Sequence, residues 1–291
     1  MLFQAIASGS NGNCGVLNTD DGTILIDAGI SRKRVISGLK DLKIKPSSVK
    51  YILITHAHGD HINGLPVLYD FLPKAKVVAT VDTIREIRKL QRKDRRFNRV
   101  SKTAIPIHPF ERVEFGGYGI TTYPTLHDIA GSSGFEILHY KSENIFTYAT
   151  DTAGIGHKFQ LAMRRSEVIF LESNFEPELL NRSKRPVWLK RRIINTHLSN
   201  EKYIKIIKRV LSKTTKCVIS GHISGECNRP EIVAEMKRNS LNSKSVEWIV
   251  CSRFEKSPKL KITDDQTLIE GGLTSRSKVD KLEHTLDEFF P

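Results

Sequence analysis

The stretch VKYILITHAHGDH, Val49–His61, decides how this chain is read. Its first half, VKYILIT, is a run of strand-forming residues that is mostly apolar, the pattern of a buried strand. Its second half sets His56, His58, Asp60 and His61 within six positions, with only Ala57 and Gly59 between them. On a continuous helix residues i and i+2 diverge. A strand that opens into a loop can instead turn all four side chains inward. Imidazole and carboxylate together suit a borderline divalent cation such as zinc, manganese or iron. The segment therefore reads as the centre of a metal-dependent hydrolase.

Outward from this point, short apolar runs alternate with amphipathic ones. LFQAIA, CGVLNT and TILIDAG read as strands, the last two joined by a turn at Asp20-Asp21-Gly22. Ser31 is placed to cap a helix running to about Leu42. Beyond His61 the pattern predicts a helix over 64–71, the strand KVVAT and one long basic helix starting near Asp82. FERVEF, GITTYPTLHD, GFEILHY and NIFTYATD then read as antiparallel strands. A helix over 157–165, the strand EVIFLES, two helical stretches, the strand KCVISGH, a helix over Pro230–Asn239 and a final strand SVEWIVC follow. The periodicity decays after Phe254, which predicts a domain over 1–256 and a partly disordered C-terminal extension over 257–291.

Three further residues of ligand type close apolar strand-like runs: His127, Asp151 and His222. Any one alone could be an ordinary hydrogen-bonded residue. Together with the first cluster they predict a two-metal site at one rim of a sheet sandwich.

The motif TxHxHxDH, followed in order by a separate His, an Asp and a His at strand ends, resembles the metallo-β-lactamase superfamily over roughly Leu2 to Cys251. That resemblance implies an α/β fold, a four-layer αββα sandwich of two mixed sheets with helices outside. It makes Asp27, in ILIDAG, a residue that orients a ligand. It implies that His56, His58 and His127 hold one metal and Asp60, His61 and His222 the other, with Asp151 bridging. The implied cofactors are two divalent ions, Zn2+ or Mn2+. The implied chemistry is attack of an activated hydroxide on a phosphodiester, with Asp60 able to take a proton.

SGSNGNC (Ser8–Cys14), LESNFEPELL (Leu171–Leu180), RPVWLKRRI (Arg185–Ile193), THLSNE (Thr196–Glu201) and GHISGECNRPE (Gly221–Glu231) resemble the YycJ/WalJ branch, described as cytoplasmic DNA exonucleases. His197, in one of these segments, is the candidate proton donor to the leaving group. The chain departs from the branch at Phe175, where relatives carry a histidine in ESNHD. Substrate preference would change if that position touches substrate. Ser8, Ser10 and Asn13 lie in a Gly-broken loop suited to a phosphate, and Ser224 and Asn228 lie just past His222. With Arg191 they are the expected substrate contacts.

A formal net charge of +14 favours polyanionic partners. The charge is also clustered. Arg85, Arg88, Lys89, Arg92, Lys93, Arg95, Arg96, Arg99 and Lys102 form one group, and Arg182, Lys184, Arg185, Lys190, Arg191 and Arg192 another beside Trp188. DNA is the expected substrate and partner. A hydrolase of cyclic nucleotides or other small phosphodiesters is the alternative of the same chemistry, and a replication or repair adaptor that binds DNA is the alternative of another class. No apolar run is long enough to span a membrane, and Cys14, Cys217, Cys227 and Cys251 show no CxxC pairing. A cytoplasmic protein with reduced thiols is expected. Near the C-terminus, Leu286, Phe289 and Phe290 are spaced like a peptide that docks on a sliding clamp.

Overall fold

The apolar runs pair into two mixed sheets, and side-chain alternation along each strand feeds a different core on each face. The computed structural model describes residues 1–241, 245–253, 255–263 and 266–271. The first half of the chain runs β1 (Leu2–Ala7), β2 (Cys14–Thr19), β3 (Gly22–Ile26), α1 (Arg32–Asp41), β4 (Val49–Ile54), α2 (Gly59–Ile62), α3 (Leu65–Phe71), β5 (Lys76–Thr80), α4 (Val81–Gln91), α5 (Asn98–Thr103) and β6 (Ile105–Ile107). The antiparallel strands β7 (Arg112–Phe115), β8 (Tyr118–Pro124), β9 (Ser133–His139) and β10 (Ile145–Ala149) follow. Then come α6 (His157–Arg164), β11 (Val168–Glu172), α7 (Pro177–Arg182), α8 (Val187–Thr196), α9 (Asn200–Val210), β12 (Cys217–Gly221), α10 (Pro230–Ser240), β13 (Glu247–Val250), β14 (Lys259–Ile262) and β15 (Thr267–Glu270).

One sheet has the order β15-β14-β1-β2-β3-β4-β5-β6 and the other β13-β12-β11-β10-β9-β8-β7. The strands β3 to β6 are parallel, as are β10 to β13, and the rest pair antiparallel. In β4, Leu53 points between the sheets with Ile24, Ile26, Phe135, Tyr148 and Phe170. Its neighbours Ile52 and Ile54 point outward against Val35 and Leu39 of α1, Leu65 and Leu68 of α3, and Ile84 and Ile87 of α4. In β11 the same alternation puts Phe170 between the sheets and Ile169 and Leu171 against Phe159 of α6 and Tyr203 and Ile207 of α9. Four layers, αββα, result. The expected sandwich is observed.

Two expectations need correction. The long basic helix predicted from Asp82 is broken after Gln91. The Asp94 carboxylate accepts the Arg96 backbone N–H at 3.0 Å, starting a short 3-10 turn over Arg95–Phe97 before α5. The break lets Phe97 and Val100 bury in the same core as Ile84 and Ile87.

The second correction concerns the boundary at 256. Ser257 bonds to β1 in both directions, its N–H donating to Ala5 O and its Oγ accepting from Ala5 N, each at 2.9 Å. The strands β14 and β15 then extend the first sheet, with Leu260 and Ile262 buried between the sheets. The folded domain therefore continues to residue 271. Leu286, Phe289 and Phe290 lie outside the described residues. Among those described, no helix is long and apolar enough to cross a membrane.

Candidate metal centre

Parallel strands in each sheet bring their C-terminal ends to one rim, where loops must leave the sheet and ligands are usually held in open α/β sheets. Asp27 follows β3, and His56 and His58 follow β4, while Asp60 and His61 sit on the short helix α2. His127 follows β8, Asp151 follows β10, and His222 follows β12. Every ligand-type residue singled out in the sequence arrives at this rim. Asp27, Asp151 and His222 reach it with left-handed backbone, at φ of 62°, 50° and 50°. Non-glycine residues adopt that conformation at a cost, which functional sites often carry.

Among the described residues three groups of donor atoms form. His56, His58 and His127 make the first, Asp60, His61, Asp151 and His222 the second, and Asp151, Glu172, His197 and His222 a third that overlaps the second; within each all donors lie within 4.8 Å of one another. Asp151 joins the first two, with Oδ2 at 2.5 Å from His61 Nε2 and 3.5 Å from His56 Nε2.

The surroundings dictate the tautomers, and the tautomers decide whether a cation fits. His127 Nδ1 is 3.0 Å from the Thr196 carbonyl, which only accepts, so Nδ1 carries the proton and Nε2 a lone pair. His61 Nδ1 is 2.7 Å from Asp27 Oδ2 and likewise donates. Thr55 Oγ1 gives its one proton to Asp27 at 3.0 Å, and must therefore accept from His56 Nδ1 at 3.0 Å. His56 Nε2 and His127 Nε2 then both point lone pairs at His58 Nδ1, each from 3.1 Å. One proton on His58 could serve only one of them; a cation serves all three. Within the second group, His222 Nε2 is buried without a hydrogen bond among the described residues. The donor set fits divalent metal.

The electrostatics differ between the groups. Burial, reinforced by the neighbouring imidazoles, pushes His56 well below the usual histidine range and lowers His58. Burial also lowers His127. All three are neutral, as ligation requires. Burial opposes charge on His61 and His222 too, but the carboxylates around them (Asp27 and Asp151 for His61, Asp151, Asp60 and Glu172 for His222) outweigh it and hold both well above that range. Burial would raise Asp60, yet the nearby rings of His222 and His61, at 3.8 Å and 3.5 Å, lower it and keep it ionised.

Glu172 belongs to this centre and was assigned no role from the sequence. Its Oε1 accepts the backbone N–H groups of Thr152 at 2.6 Å and Leu198 at 3.1 Å. Its Oε2 faces His222 Nδ1 at 3.0 Å and His197 Nδ1 at 3.2 Å. It closes the strand EVIFLES just as His127, Asp151 and His222 close theirs, so the same signal was present. Asp128, next to His127, pairs with Arg192 of α8 at 2.5 Å.

His197 lies within the centre, its Nδ1 turned to Glu172 and Asp151, which leaves Nε2 for a ligand. Three expected substrate contacts are displaced. Ser8 is buried and its Oγ accepts the His222 backbone N–H at 2.7 Å. Asn13 is buried, its Oδ1 accepting from Gly9 N and its Nδ2 turned to Asp60 and His61. Asn228 is buried against Asn200 and the Ser173 carbonyl. All three brace the centre, because their polar atoms are already engaged by protein groups. Ser224 closes a turn, accepting from Cys227 N at 3.1 Å, while Ser10 and Arg191 are exposed. Phe175 packs with Leu180, Ile193 and Cys227, beneath α7 and α8. The residue that departs from the branch therefore anchors these helices and does not face the metal centre.

Comparison with known proteins is consistent with this geometry. The profile of the beta-lactamase superfamily domain matches residues 22–222. The exodeoxyribonuclease WalJ of Streptococcus pneumoniae serotype 2 (strain D39) is 30% identical over 247 residues, covering 82% of this chain and 87% of WalJ. The exodeoxyribonuclease YycJ of Bacillus anthracis is 28% identical over 235 residues, covering 79% of this chain and 85% of YycJ. The crystal structure of Zn(2+)-bound PqqB from Methylobacterium extorquens shares the fold at a TM-score of 0.67 and 14% identity, over 90% of this chain and 100% of that one.

Proposed function

Since the chain belongs to the metallo-β-lactamase superfamily, and within it to the branch of WalJ and YycJ, we propose that it is a metal-dependent phosphodiesterase that degrades DNA as an exonuclease. The observation that carries this reading is the pair of donor groups joined by Asp151. His56, His58 and His127 would hold one cation, Asp60, His61 and His222 the other, and Asp151 would be shared. Bound there, two zinc or manganese ions would polarise a phosphodiester and bring the pKa of a water toward neutrality.

The protein's own groups supply the remainder. Asp60, kept ionised by His222 and His61, accepts a proton from the attacking water. His197, oriented through Nδ1 by Glu172 and Asp151, offers Nε2 to the departing oxygen. Asp27, Thr55, Thr196 O and Glu172 fix which nitrogen carries a proton in His61, His56, His127 and His222. The net charge of +14 and the cationic residues of α4, α5 and α8 support a nucleic-acid substrate. A cytoplasmic setting suits four buried free cysteines.

The test is a substrate panel with added manganese or zinc: linear duplex DNA, single strands, RNA, cyclic nucleotides and a β-lactam. Release of mononucleotides from DNA, abolished by Asp60→Ala, is the expected result. Turnover of cyclic nucleotides with none of DNA would replace this reading by that of a small-phosphodiester hydrolase. Tight DNA binding that survives chelation, with no hydrolysis of any substrate, would replace it by that of an adaptor.

A further inference from the structure

Helix α8 is fastened to the candidate metal centre at one end and at the other exposes an indole that has no partner among the described residues. At its C-terminal end, the Thr196 carbonyl accepts from the ligand ring of His127, Arg192 pairs with Asp128, and His197 N donates to Ile193 O at 2.9 Å. Its inner face is buried through Ile193 against Phe175, Leu180 and Cys227. Near its start, Trp188 is 68% exposed and Val187 65%. The contrast with Trp248 is informative. That indole is 4% exposed and donates to Ser220 Oγ at 3.0 Å, so it is explained by packing. Trp188 is not.

Its surroundings indicate what would cover it. Residues 188, 191 and 195 share one helical stripe, so Trp188 lies beside Arg191. Among the described residues Arg182, Arg185 and Arg192 are paired with Glu178, Glu226 and Asp128, whereas Arg191 has no acidic partner. The helix VWLKRRIINT contains no carboxylate. A second copy of this chain packed two-fold across α8 would set Lys190 and Arg191 against their own equivalents, which like charge opposes. A flat apolar ring beside a free guanidinium matches a stacked base followed by a phosphate. Eight positions separate Trp188 from Thr196, about 12 Å along the helix axis, a span that a short stretch of single strand can bridge.

We propose that α8 grips single-stranded DNA, with Trp188 stacked on a base a few nucleotides from the reacting phosphate and Arg191 on the backbone beside it. This rests on the DNA reading above and adds the residues that hold the strand. Stacking of this kind tolerates any base, so α8 contributes grip without sequence preference.

The experiment is a fluorescence titration with single-stranded oligothymidine in the presence of a chelator, comparing the wild type with Trp188→Phe to isolate the emission of Trp188. Saturable quenching of that emission, weakened by salt, is expected. In metal-loaded protein, Trp188→Ala should raise KM for single-stranded DNA about 5- to 100-fold with little change in kcat. Trp188→Phe should recover most of the loss, and Arg191→Ala should lower the salt slope by about one. Unchanged melting temperature and metal content would show that the variants fold with the centre intact. Absence of quenching, or a wild-type KM in Trp188→Ala, overturns the proposal. So does protein-dependent dimerisation that Trp188→Ala abolishes, which would make this face a self-contact. A wild type that degrades no DNA would refute the enzymatic reading, while the titration still judges the grip by itself.

Discussion

Replacing Asp27 by Asn changes one atom and tests how the centre is organised. Asp27 is fully buried at φ 62°, a backbone conformation that Asn also tolerates, so the chain path should survive. Its Oδ1 accepts from Thr55 N at 2.9 Å, and its Oδ2 from His61 Nδ1 at 2.7 Å. An amide can satisfy only one of these. With its NH2 toward His61, donor meets donor, and the ring must move its proton to Nε2, the nitrogen aimed at Asp151. With its NH2 toward Thr55, a buried backbone N–H loses its acceptor, at about 1–3 kcal/mol. Loss of such an orienting partner typically lowers metal affinity about 10- to 100-fold, equivalent to about 1.4–2.8 kcal/mol. Titration of metal-stripped protein against a competing chelator should show this loss in the equivalent held by Asp60, His61 and His222. The equivalent held by His56, His58 and His127 should change less, since Thr55 links it only indirectly to Asp27. If both equivalents bind with wild-type affinity, tautomer control by Asp27 is wrong.

Glu172→Gln should act in the same way on His222 and His197, because one amide cannot accept from Thr152 and Leu198 while also accepting from two rings. A second metal equivalent weakened about 10- to 100-fold, together with a displaced pH–rate profile, is the expected readout. At Gly29 an added Cβ would lie 1.6 Å from the Asp60 carbonyl. Gly29→Ala should therefore push α2 away and cost about 1–3 kcal/mol of stability, measured by denaturant unfolding. The pH dependence of metal-stripped protein has two opposing limbs. His56, His58 and His127 are lowered from 6.5, so the unfolded chain binds more protons and they remove stability as pH falls below about that value. His61 and His222 are raised from 6.5, and their contribution is present below it and lost as pH rises. His127→Gln should flatten the acid limb near pH 6; an unaltered limb would contradict a neutral, buried His127.

Much of this architecture was legible because its elements are locally coded. The run VKYILIT reads as a buried strand, and β4 is buried apart from Lys50, feeding Leu53 to one core and Ile52 and Ile54 to the other. Strand ends bearing His127, Asp151 and His222 could be read as a shared rim, since polar ligand types rarely close apolar strands without purpose. Glu172, which closes β11, carries the same signal. The strand β14, which lies between β15 and β1, was missed for a physical reason. Four residues alternating Lys-Leu-Lys-Ile carry little periodic signal, and they become a strand only by pairing with β1.

By itself the sequence picked out the candidate ligand residues that meet at the rim, the alternation that builds two sheets, and the strongly cationic character, all of which depend on residue type and near-neighbour spacing. Tertiary structure alone decided the tautomers. Asp27, Glu172 and Thr196 lie 34, 50 and 69 positions from the rings they orient, and only strand pairing and helix packing bring them to hydrogen-bonding distance, whereas Thr55 adjoins His56 in the chain. It also moved Ser8, Asn13 and Asn228 from the substrate to the frame, and Phe175 to the underside of α8. Whether a polar side chain meets a ligand or a backbone N–H depends on which chain segments pack over it, and no local pattern records that.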